Sequence, residues 1–213
     1  MRRCLVALLL ALCAGTGAAP APVGLAGLLG TGVRDPGREA AAGTVHDLTL
    51  RDGRLEAVVV ARDPGSLDGP PDFLRLPAQR FAFSADPDAL RLRATVADPG
   101  FLDHHAAPPP LDAGERSVRR LVGRPLALPE AAPWARLEDV EIERTDRAIV
   151  AFVLAPASAA PPPPPPEGSS LEQVDGQLRF VPGPGAPFAV LDRWLRSAPP
   201  GAPVPGTRPP PAP

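Results

Sequence analysis

The sequence repeats itself at an interval of about 92 residues, which constrains the fold strongly because each copy must be a structural unit of the same kind. Leu28-Leu29-Gly30-Thr31-Gly32-Val33 returns as Leu121-Val122-Gly123-Arg124-Pro125-Leu126. Thr44-Val45-His46-Asp47-Leu48-Thr49-Leu50 returns as Arg136-Leu137-Glu138-Asp139-Val140-Glu141-Ile142, with the shared pattern x-apolar-x-Asp-apolar-x-apolar. The runs that follow, residues 55–61 and 148–154, are rich in Val and Ala, and the first comes after the polar turn Arg51-Asp52-Gly53-Arg54. Short apolar, β-branched runs behind an Asp-Gly turn are hairpin strands. A second Asp-Gly turn, Asp175-Gly176, precedes Leu178-Arg179-Phe180, which matches Leu90-Arg91-Leu92 of the first copy.

Each copy therefore reads as four to six short strands joined by hairpin turns, which suits a small closed or nearly closed barrel with few exposed edges. The copies differ at the third connection. The first continues through a Gly- and Pro-rich connection into Phe73-Leu74-Arg75-Leu76, for which the second has no counterpart, and carries instead the unbroken proline run 161–166. Such a run is expected as a stiff, extended surface spacer. One helix is expected, opened by Pro187, with Phe188, Leu191, Trp194 and Leu195 on a shared face. The Pro-, Gly- and Ala-rich tail 197–213 has little to bury and is expected to be disordered.

The first copy resembles the PRC-barrel family. The likeness rests on the Leu-x-Gly-x-x-Val strand, then Gly43-Thr44-Val45-x-Asp47-Leu48-x-Leu50, the turn with Gly53-Arg54, a Val-rich strand and Leu76-Pro77. The resemblance implies two small PRC-barrel-like β-barrels in tandem: residues 25–98, a linker 99–116, and a divergent second barrel 117–196. It also implies a docking or assembly module without an active site of its own. A fold alone assigns no function.

Residues 1–18 have the layout of a secretory signal, with Arg2 and Arg3 ahead of an apolar stretch too short to span a bilayer and small residues before Pro20. Both cysteines, Cys4 and Cys13, lie in that leader, so the mature chain is expected to hold no disulfide or thiolate metal site. Cys13 as a lipoprotein acylation site is disfavoured by Leu12 in front of it. Of 22 basic and 24 acidic residues, loss of Arg2 and Arg3 leaves a formal charge of −4, which argues against nonspecific nucleic-acid binding. The expected location is periplasmic or secreted, with no stable membrane span.

Four residues are candidates for metal chemistry: His46, Asp103, His104 and His105. Imidazole with carboxylate suits zinc, yet neighbouring residues of an extended chain face opposite ways, so His104 and His105 are not expected to share an ion. Asp47 and Asp139, at matching positions of the repeat, are expected to hold the hairpins by accepting hydrogen bonds. No serine sits in a Gly-flanked elbow, and the glycines of residues 24–32 lack the Gly-Lys-Ser/Thr ending of a phosphate loop. No catalytic residue and no cofactor are expected. The function implied is noncatalytic binding to a cell-envelope protein, and the alternative is a periplasmic metal-binding protein using the histidines.

Overall fold

A computed structural model describes residues 21–34, 36, 41–62, 72–83, 89–93, 103–126, 134–157 and 162–197. Residues 1–20, with both cysteines and the expected signal segment, and the tail beyond residue 197 lie outside these. The first copy contributes β1 (Val23–Gly24), β2 (Gly32–Arg34), β3 (Ala41–Arg51), β4 (Arg54–Arg62), β5 (Asp72–Pro77), β6 (Phe81–Phe83) and β7 (Ala89–Leu92). The chain continues through β8 (Asp103–His105), β9 (Arg116–Ser117), the one-turn helix α1 (Val118–Leu121), β10 (Pro125–Leu126), β11 (Ala135–Ile142) and β12 (Ile149–Pro156). It ends in the hairpin β13 (Ser170–Val174) and β14 (Gln177–Val181) and the helix α2 (Pro187–Ser197).

The protein is mostly β, in two sheets. One runs β6-β7-β2-β3-β4-β5-β8 with β9 added to β3; the other runs β1-β11-β12-β14-β13 with β10 added to β11. Neither closes into a barrel among the described residues, in contrast to the expectation of closed barrels. The reason is an exchange. The opening strand of each copy leaves its own sheet and pairs with the long strand of the other: Val23 and Gly24 lie against Ile142 and Glu141, and Ser117 and Arg116 against Thr49 and Leu50.

The expected turns are present. Asp52 and Gly53 have φ of 49° and 75°, and Asp175 and Gly176 have 50° and 80°, the left-handed pair that suits strand twist in a two-residue hairpin. The repeat extends to irregularities of the ladder: β3 shifts register between Val45 and Asp47, and β11 between Leu137 and Asp139. Gly30 and Gly123, at φ of 81° and 82°, turn the chain so that their amides reach the carbonyls of Val45 and Leu137.

The matching of Leu90-Arg91-Leu92 with Leu178-Arg179-Phe180 does not carry into topology. Strand β7 pairs with β6 and, in parallel, with β2, whereas β14 pairs with β12 and β13. Without a counterpart of β5, the edge of β12 is open and β14 takes it.

The apolar runs are buried on both faces. Ala57, Val58, Val59 and Val60 of β4 are all buried, as are Ala151, Phe152, Val153 and Leu154 of β12, which is why neither run alternates with polar residues. A single core joins the copies, from Leu48, Leu50 and Leu74 to Leu137, Ile142, Phe180 and Trp194. Helix α2 begins at Pro187 as expected and buries Val190, Leu191 and Trp194.

Candidate functional site

The most heavily constructed part of the molecule is the seam between the copies, and it uses the two matching aspartates. Each sits beside a register shift, which re-aims a side chain off the regular pleat. Asp47 Oδ1 accepts from the amides of Leu48 (2.7 Å) and Arg119 (3.1 Å), and its Oδ2 accepts from the Ser117 hydroxyl. Asp139 Oδ1 accepts from the amides of Val140 and Ala26, both at 2.7 Å. Each carboxylate thus ties down the exchanged segment of the other copy. Ser117 in turn caps α1 by accepting from the Arg120 amide at 3.1 Å.

Opposite Asp139 the position of Ser117 is held by Gly24. A Cβ there would lie 2.2 Å from Asp139 Oδ2, so the close approach excludes a side chain. Burial raises the pKa of Asp139 above 3.8, against the lowering by the Ala26 and Val140 amides and with the Glu141 charge adding to the rise. A raised carboxyl pKa means the fold favours the protonated form. That contribution to stability is fully present below pH 3.8 and is lost as pH rises through the folded value. Asp139→Asn is accordingly expected to be at least as stable as wild type at pH 7, the difference closing as pH falls towards 3.8. Asp139→Ala leaves two amides without an acceptor and is expected to cost about 1–3 kcal/mol. Urea midpoints of the three proteins across pH check this; an Asn variant as unstable as the Ala variant at pH 7 refutes it.

A third carboxylate fastens the start of β9. The Glu115 side chain is fully buried; it takes both terminal nitrogens of Arg75 as a fork, with Arg51 at 3.4 Å, the Thr49 hydroxyl at 3.3 Å and the Asp112 amide at 2.9 Å. Asp112 Oδ2 closes the cluster against Arg51 and Arg75. Where the hairpins meet, Leu55 N donates to Arg147 O at 3.0 Å and Ile149 N to Gly53 O at 2.8 Å, a reciprocal pair about a local two-fold through Arg54 and Ala148.

Helix α2 lies over this seam. The Arg116 guanidinium stands 4.5 Å from the Phe188 ring centroid, and Phe188 meets Phe152 at 5.2 Å. Trp194 is fully buried, stacked on Phe180 at 4.3 Å and edge-on to Trp134 at 5.0 Å. Its Nε1 donates to the carbonyls of Pro163 (3.2 Å) and Pro164 (3.0 Å). The described part of the proline run is thus pinned to the helix and is not a free spacer: proline carbonyls have no N–H of their own to bond, and the indole supplies one.

The metal candidates are dispersed. His46 Nδ1 lies 3.0 Å from Arg119 Nη1, and since a guanidinium only donates, Nδ1 is the acceptor. Burial and then the Arg119 charge lower the His46 pKa, with Asp47 opposing. The His46 ring meets Phe73 edge-on at 4.9 Å. Strand β8 sets His105 across from Phe73 and His104 across from Leu74; the side chains of Asp103 and His104 lie outside the described residues. Among the described residues no three of His, Cys, Asp and Glu gather as a metal group, and no helix is long and apolar enough to cross a membrane.

The residues that matter most at the seam were not apparent in the sequence. Glu115 falls in the segment read as linker, 40 positions from Arg75, and spacing carries no signal at that range. Only the matching Asp47 and Asp139 were marked, by the repeat.

At the far side of the second sheet, β13 is an edge strand among the described residues. Ser170, Glu172, Gln173 and Val174 are exposed, and Val174, at 49%, is the large hydrophobic most open to solvent among the described residues. Next to it an open groove of about 500 Å³ is lined by Arg136, Glu138, Asp139, Glu141 and Gln177. No protein-family model matches this chain, and no curated protein matches it.

Proposed function

We propose that this protein is a noncatalytic, exported binding module, PRC-barrel-like in its repeat, that engages a protein of the cell envelope by strand addition along β13. The observation that carries the reading is the edge of that strand, which is open among the described residues. In a two-residue hairpin the closing pair, here Val174 and Gln177, exchanges both backbone hydrogen bonds, and bonded pairs alternate from there. Glu172 and Ser170 therefore face β14, while Leu171 and Gln173 direct their N–H and C=O groups to the open side. Unpaired strand edges bind extended segments through main-chain hydrogen bonds. Catalysis is disfavoured because Asp47 and Glu115 spend both carboxylate oxygens, and Asp139 its Oδ1, on the protein's own amides, hydroxyls and guanidiniums.

The test is crosslinking capture from the source envelope with wild type and Gln173→Pro. Proline removes an N–H from the open side and leaves the bonds to β14 in place. The expected result is one protein captured at near-equal amount by wild type and lost with Gln173→Pro, whose melting temperature is unchanged. Equal capture by both proteins refutes strand addition. Stoichiometric zinc binding that disappears in His104→Ala overturns the reading in favour of a metal-binding protein.

A further inference from the structure

We infer that Arg147 and Arg93 form a binding site for an oxyanion, a carboxylate or a phosphate, at the seam between the two copies. Arg147 Nη2 donates to Phe81 O at 3.1 Å, and Arg93 Nε donates to the same oxygen at 3.2 Å. Two guanidiniums thus converge on one carbonyl. Among the described residues the only other acceptor of Arg147 is the Thr145 carbonyl at 3.3 Å, its Nε is buried with no partner there, and the residue is only 8% exposed. The acids closest to it in sequence are engaged elsewhere: Glu143 accepts from the amides of Thr145 and Asp146, and Asp146 faces Arg54.

A buried charge is ordinarily paired, and two like charges side by side raise the cost further. In agreement, burial and then the Arg93 charge lower the pKa of Arg147. The local two-fold makes the choice of residue telling. Arg147 occupies the place that Gly53 holds in the first copy, and it does so at a φ of 61° against 75° for the glycine. Arginine is poorly suited to that conformation and glycine is well suited, so backbone geometry does not account for an arginine there. The Phe83 ring, 6.0 Å from the guanidinium carbon, walls one side, and Arg93 is exposed, leaving an approach from solvent. Planar guanidinium forks match the oxygens of carboxylate and phosphate. The site is separate from the β13 edge and does not depend on it.

Thermal melting of the full chain in inorganic phosphate, and in acetate, against chloride at constant ionic strength tests the inference. Ligand that binds only the folded state raises the melting temperature with concentration. The expected result is a saturable rise that weakens about tenfold or more in apparent affinity in Arg93→Ala and vanishes in Arg147→Gly, a variant that takes the residue of the first copy. A rise with both anions assigns the site to carboxylates and phosphates alike, and a rise with phosphate alone assigns it to phosphate. No rise with either anion, or an unchanged response in both variants, overturns it.

Discussion

Glu115→Gln is expected to destabilise the protein by about 3 kcal/mol at pH 7, because removing the charge leaves Arg75 and Arg51 facing each other around a buried amide. The Glu115 side chain is fully buried, while those of Arg75 and Arg51 are 16% and 33% exposed. The carboxylate therefore cannot be replaced by water at the same place. Burial by itself raises the Glu115 pKa, but the Arg75 fork, the Asp112 amide and the Arg75 and Arg51 charges outweigh it and hold the carboxyl below 4.5. With the folded pKa lowered, the stabilisation is fully present above pH 4.5 and is lost as pH falls through the folded value. Urea unfolding should thus show a constant gap between wild type and Glu115→Gln above about pH 5 that narrows below pH 4.5. Adding Arg75→Gln should recover part of the loss, since removing both partners costs less than removing one. A single-variant effect below about 1 kcal/mol, the range of an exposed pair, would show that the cluster is only surface decoration.

Trp194→Ala is expected to cost about 4 kcal/mol, in the range measured for large aromatic side chains removed from packed cores. Three things go together: the stack on Phe180, the edge contact with Trp134, and the hydrogen bonds that pin Pro163 and Pro164. Trp194→Phe separates them. It keeps an aromatic ring and loses the N–H, and is expected to cost about 1–2 kcal/mol. The chain has two tryptophans, so either variant leaves Trp134 as the sole indole emitter. In Trp194→Ala its emission should shift to the red as solvent reaches the vacated space, and in Trp194→Phe it should not. Equal losses in the two variants would place the whole contribution in the indole N–H and refute the packing argument.

The strands β3 and β4 were legible because short-range chemistry specifies them, Asp52-Gly53 at a two-residue turn with a Val-rich run behind it, and β11 and β12 were legible because they repeat that pattern. The start of α2 was legible for the same reason, Pro187 at its first position. The closed barrels and the matching of β7 with β14 were misread together. Both depend on which strand edge a hairpin finds, and the sequence of the hairpin itself does not carry that. The proline run was read as a spacer because its hydrogen-bond partner, Trp194, lies about 30 residues downstream. Of the histidine candidates, the sequence placed His104 and His105 side by side, and the register set them across from Leu74 and Phe73, in a strand three places from that of His46.

What the sequence by itself determined was the repeat, the turns, the helix start and the importance of Asp47 and Asp139, because periodicity, turn chemistry and matched positions act over a few residues. Only the tertiary structure decided that the copies exchange their first strands, that Asp47 and Asp139 each hold the other copy's segment, and that Glu115, Arg147 and the prolines acquire distant partners. The two opening segments carry similar apolar patterns, so local preference leaves the choice open. Packing both copies around one core settles it.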